Sequence, residues 1–151
     1  MFRRWILLSA SMLALTLAAR AEEAPLSRYA TVAVEPAKTS IYIGSVTLTT
    51  TTFTREGNVY SADYTARVFP YFFYNEKGKL WIDATDEDLG RLGRGEAVDF
   101  TGHARNSDGE ERRVTGRAQP ADASGGKIKV RVSVSKRIEL IFNTTYRFAA
   151  K

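Results

Sequence analysis

Asn58-Val-Tyr-Ser-Ala-Asp-Tyr-Thr-Ala-Arg-Val-Phe-Pro-Tyr-Phe-Phe-Tyr-Asn75 reads as one long strand between two turns of the same form, Arg55-Glu56-Gly57 and Glu76-Lys77-Gly78. Three-residue hairpin loops commonly close on a residue in the left-handed region, where glycine costs least. Ile41 to Ile82 therefore predicts two hairpins sharing a central strand, with positive φ at Gly57 and Gly78. Ser107-Asp108-Gly109 repeats the form further on, and Gly109 carries the same expectation.

Each turn sets a register that the hydrophobic pattern can test. A loop at 55–57 sets Leu48 opposite Tyr64, Val46 opposite Ala66 and Gly44 opposite Val68. A loop at 76–78 sets Tyr74 opposite Leu80 and Phe72 opposite Ile82. All of these positions are even-numbered, and a slip of one residue would turn each set outward. Pro70 has no N–H to give a ladder, so the central strand should kink there.

The chain resumes after Ile82 with Asp83 to Gly95. Thr85 followed three residues later by Asp88 has the form of a capping box, and acids crowd the first turn, where the helix dipole favours them. A short helix is expected near 86–94, with Leu89 and Leu92 on one side. Val98–Asn106 and Glu110–Gln119 form a third hairpin around Ser107–Gly109. In its register the Phe100 ring covers the bare Gly116, while Arg105 meets Glu111 and Asp99 meets Arg117 across the strands. Pro120–Gly126 reads as a loop. Ile128 to Val134 alternates, Ser135–Arg137 bends, and the alternation resumes in Ile138, Leu140, Phe142, Tyr146 and Phe148. The fold class is all-β: an antiparallel meander of seven or eight strands, closed as a small up-and-down barrel or packed as a two-sheet sandwich, with one short helix.

The first 21 residues have the form of a secretory signal. Arg3-Arg4 precede an apolar run from Trp5 to Ala18, and Ala19-Arg20-Ala21 is a small-x-small cleavage site. Its apolar run is shorter than the ~20 residues a span needs. The expected organisation is a cleaved signal over 1–21, a flexible or short-strand lead-in over 22–40, in which Tyr29 to Val34 can pair, and one β domain over 41–148. Cleavage removes three of the 22 basic residues, so the net charge falls from +5 to about +2. That small excess gives no reason to expect a nucleic-acid partner. No cysteine is present, which excludes disulfides, thiol nucleophiles and thiolate metal sites. A periplasmic or secreted location is expected, with no membrane span left after cleavage.

Few residues carry chemistry. His103 is the single histidine and falls on an outward strand position. Asp83, Asp86, Glu87 and Asp88 could offer oxygens to calcium, but they lack the EF-hand spacing and read as helix capping. Arg113, Arg117, Lys127, Lys129 and Arg131 make a basic stripe without interleaved aromatics, a solvated face. Asn143-Thr144-Thr145 matches a glycosylation acceptor but lies within a strand. No catalytic residue, metal or cofactor is assigned.

The aromatic residues on the odd face beyond Pro70 are the candidate site: Phe69, Tyr71 and Phe73, with Trp81 set opposite Phe73. A patch of this kind is a binding surface for an apolar small molecule, a glycan or a protein partner, unless residues 22–40 or the helix cover it. The leading expectation is a non-enzymatic binding module. A structural component of the envelope is second; Tyr146-Arg147-Phe148 resembles the closing strand of outer-membrane barrels, but Ala62, Ala66, Gly102 and Gly116 are too small for a lipid-facing band. An enzyme built on clustered carboxylates is third.

Overall fold

The computed structural model describes residues 26–149; the signal expected over 1–21 lies outside them. Ten strands run β1 Thr31–Val34, β2 Ala37–Ile41, β3 Gly44–Thr50, β4 Phe53–Glu56, β5 Val59–Phe69, β6 Glu76–Asp83, β7 Val98–Asn106, β8 Glu111–Asp122, β9 Gly125–Ser133 and β10 Glu139–Phe148. One helix, α1 Asp86–Gly93, joins β6 to β7. Eight strands close an antiparallel barrel in the order β5-β4-β1-β10-β9-β8-β7-β6, with β6 returning to β5. The two further strands extend it, β3 pairing with β5 and β2 with β3. Of the two expected architectures, the barrel is the one formed.

Inward positions alternate with outward ones along most of the strands, as the pleat requires. Val46, Tyr64, Val68, Leu80, Val114, Val130, Phe142 and Tyr146 fill the interior. Outward positions carry Asp63, Lys79, Arg105, Arg113, Lys129 and Arg131 and are exposed. The 107–110 hairpin has the expected register: Phe100 faces Gly116, Arg105 faces Glu111 and Asp99 faces Arg117. A Cβ at Gly116 would run into the Phe100 ring and the Lys129 carbonyl, so the glycine makes room for the ring.

Four expectations are corrected. The central strand stops at Phe69, ahead of a cis Phe69–Pro70 bond, and residues 72–74 form a 3-10 turn. Glu76-Lys77-Gly78 is therefore not a turn but the start of β6. Gly78 pairs with Tyr64 and Asn106 at negative φ, and it is glycine because a Cβ would strike the Arg105 carbonyl. Gly57 and Gly109 do have positive φ, at 60° and 83°. Second, β4 and β5 are joined by the two residues Gly57 and Asn58, and Thr54 faces Ser61. In β3, Thr50 faces Tyr64 and Leu48 faces Ala66. Residues 51–53 thus oppose only 62–63, a one-residue bulge. Because of it, even residues face inward in β3 while odd Phe53 is buried in β4. Third, β8 continues through Pro120 to Asp122, past an irregularity, and only Ala123-Ser124 turn the chain. Fourth, Ile138 lies exposed in the turn before β10 instead of joining the core.

These connections give the barrel two unlike ends. The helix end holds α1, the 57–58 and 123–124 turns, Tyr29 and Phe148. The loop end holds the tips at 42–43, 70–75, 107–110 and 134–138.

Candidate functional site

The helix end is closed by packing. Thr85 accepts from the Asp88 N–H at 3.2 Å, and Asp88 accepts from the Thr85 N–H at 3.0 Å, so the expected capping box forms. Arg55 ties the helix start to the wall through Asp86 at 2.9 Å and the Ala84 carbonyl at 3.0 Å. Leu89 and Leu92 point into the barrel. Tyr29 stacks edge-on against Phe148, 4.9 Å between centroids, and its carbonyl accepts the Tyr60 hydroxyl at 2.6 Å. Of the carboxylates considered for calcium, Asp86 is used here in an ion pair and Asp88 in the cap, while Asp83 and Glu87 are exposed. Among the described residues no group of three His, Asp or Glu side chains could hold a metal.

Two voids lie within the barrel. One of about 110 Å³ sits under α1, walled by Leu89, Leu92, Phe53, Leu80, Phe100 and Tyr146 among others. The second, about 70 Å³, lies towards the loop end among Val114, Val130, Phe142 and a polar group. In that group Arg112 donates to Glu76 at 3.2 Å, to Glu110 at 2.9 Å and to the Val134 carbonyl at 3.0 Å, while the Tyr64 hydroxyl donates to Glu76. Burial, reinforced by the Glu76 hydrogen bond, pushes the Tyr64 phenol well above its usual range. Burial likewise pushes Tyr146 up to about 12, with the Asp122 charge adding to it. Pockets for drug-sized ligands run to about 300 Å³ and more. Both voids are far smaller.

The loop end differs from the rest of the surface. Every strongly exposed large apolar side chain among the described residues lies in the loop-end half of the barrel. Tyr42 is fully exposed, Phe73 is 76% exposed and Phe69 60%, and Ile43, Phe72, Tyr74, Ile138 and Ile141 accompany them. Two local features bring these tips together. Gly44, at φ 112°, presses so close to the Phe69 carbonyl and Pro70 that a Cβ would not fit, which sets the Tyr42-Ile43 tip beside the 70–75 loop. That loop is held by its own bonds: Asn75 accepts from the Val68 N–H at 2.8 Å, and the Tyr74 N–H donates to the Tyr71 carbonyl at 3.0 Å. The rings here meet edge to face, Phe69 with Phe72 and Tyr71 with Phe73, each pair 5.9 Å between centroids.

Of the four residues singled out in the sequence, Phe69, Tyr71 and Phe73 come together at this end. Trp81 does not. It faces Ser61 and His103, eight residues down β5 from Phe69 and so roughly 25 Å away along the strand. There it is half-buried, stacked on His103 at 4.7 Å, beside an open surface groove of about 550 Å³ flanked by Lys79 and Arg105. The expected covering of the patch does not occur among the described residues: α1 is at the opposite end, and residues 31–41 form β1 and β2. Tyr42, Ile43, Phe72, Tyr74 and Ile138 were missed. The signal was the unbroken run Phe69–Tyr74 across a proline, where alternation no longer assigns a face.

No family model matches the chain, and no curated protein or solved structure does either.

Proposed function

We propose that this protein is a non-enzymatic exported binding module that docks through its aromatic loop end. One observation carries the reading: all the strongly exposed large apolar side chains of the described residues gather in one half of the barrel, most of them on its loop tips. Burying such rings against a partner is favourable, and an apolar concentration of this kind on a folded surface marks an interaction site. The sequence form of residues 1–21 supports export. The orientation of the wall speaks against the alternative of a spanning barrel, which turns an apolar band outward; here the apolar residues face inward and charged residues face out. No helix of the described residues is long and apolar enough to cross a membrane. The small size of the two interior voids disfavours a carrier that encloses a drug-sized molecule within the barrel.

A photo-crosslinking side chain at position 73, on the loop end, and at position 129, on the wall, tests the reading in the producing cell. Adducts at 73 in excess of those at 129 are expected, whatever the class of molecule captured. Equal yields at the two positions would sink it.

A further inference from the structure

The geometry points to an anionic lipid surface as what the loop end meets, an inference that rests on the docking reading. Charge is the first argument. Lys38, Arg67, Lys77, Lys136 and Arg137 all lie in this half of the barrel, exposed, and none takes part in an ion pair among the described residues. Of the five acids at the same end, Glu76 and Glu110 are held by Arg112, Glu111 by Arg105 and Glu139 by Arg131, leaving Asp108. The helix end is mixed: Asp83, Asp86, Glu87, Asp88 and Glu96 gather around α1, and Arg55, Arg91 and Arg94 pair with acids among them. The apolar tips are thus backed by free positive charge.

Depth is the second argument. Arg67 stands two residues behind Phe69 and Lys38 four behind Tyr42, about 7 and 13 Å along their strands. Amphipathic elements at a bilayer sink their apolar side chains about 5–10 Å, with cations at the level of the headgroups. The spacing of tips and cations matches that layering. Tyr42 and Tyr74 add phenols, which favour the boundary between headgroup and hydrocarbon. Shape is the third: apolar side chains project from the 42–43, 70–75 and 134–138 tips alike, and a fluid surface moulds to each one.

The chain contains no cysteine, so Phe73→Cys and Lys129→Cys can each be labelled singly with an environment-sensitive dye on the full exported protein. The probes are vesicles of phosphatidylglycerol with phosphatidylcholine, and of phosphatidylcholine alone. A blue shift at position 73 on the anionic vesicles, with none at position 129, is expected. Lys136→Glu with Arg137→Glu should weaken that binding about tenfold or more, and Tyr42→Ser with Phe72→Ser should weaken it at least as much. Both pairs sit on exposed tips, so their melting temperatures should match the parent. An equal shift at 129, or equal binding to uncharged vesicles, overturns the inference. Silence on both vesicles with a protein adduct at position 73 in the crosslinking experiment overturns lipid and keeps docking. Silence in both experiments overturns both readings.

Discussion

Leu89→Ala would test whether α1 is an integral plug of the barrel. Leu89 is 1% exposed and borders the void of about 110 Å³. Removing its three outer carbons forfeits about 2.4 kcal/mol at ~0.8 kcal/mol per methylene. The helix cannot sink to fill the gap, because its start is fixed by the Thr85 cap and the Arg55–Asp86 pair. A further void of about 60 Å³ then adds about 1.5 kcal/mol at ~24 cal/mol per Å³. The expected loss is about 4 kcal/mol. Urea unfolding should show it as a midpoint lowered by about 2 M at an unchanged slope, for a slope near 2 kcal/mol/M. Because the enlarged space is apolar, benzene should raise the midpoint of the variant more than that of the parent. A loss under about 1 kcal/mol, with no benzene effect, would refute the plug: the helix would then be an ornament on a barrel stable without it.

Gly116→Ala should cost about 2 kcal/mol or more, since the added carbon meets both the Phe100 ring and a backbone carbonyl; thermal melting would reveal it. Gly109→Val should cost about 1 kcal/mol or more at φ 83°, measured in the same way. Arg112→Ala leaves Glu76 largely shielded from water without its cation and should cost about 2–3 kcal/mol, much of it recovered when Arg112→Met is combined with Glu76→Gln. Tyr60, Tyr64 and Tyr146 keep their phenolic protons to higher pH than the unfolded chain does, burial being the main cause. The unfolded state alone loses protons as pH climbs past about 10, so stability is full below that value and declines above it. Phenolate absorbance should accordingly resolve a late-titrating class that merges with the rest on unfolding.

The 107–110 hairpin was legible because independent signals agreed there: a turn glycine, an aromatic over a bare glycine and two opposite-charge pairs. The 76–78 turn was misread because glycine serves two purposes. It supplies positive φ at Gly109, but at Gly78 it lets one strand approach another, and sequence alone does not separate the two. Pro70 carried the contrary signal and prevailed. The bulge at Thr51-Thr52 left no mark because threonine suits a strand, and its hydroxyl can stand in for the ladder; Thr51 accepts from the Asp63 N–H at 3.0 Å. The even-face core of β3 was therefore anticipated from a register two residues off. Phe69, Tyr71 and Phe73 were found as a patch, but Trp81 was joined to them only through the misplaced turn.

The interruptions at Glu35-Pro36 and Thr51-Thr52 have a mechanical consequence. Near the helix end, β1 bridges β4 and β10, and the wall is a continuous hoop. Past Glu35, whose N–H reaches the Thr145 carbonyl at 3.0 Å, β2 pairs with β3 alone. From Glu139 to Asn143, β10 therefore has a ladder on one side only, with β9. Over that stretch β2 lies against β10 without a hydrogen-bonded ladder, so one side of the barrel is a seam held by packing, like a collar closed but left unbuttoned. The flap along that seam is the β2–β3 hairpin, which carries Tyr42 and Ile43 at its tip, so a pull on the tip is a pull on the seam.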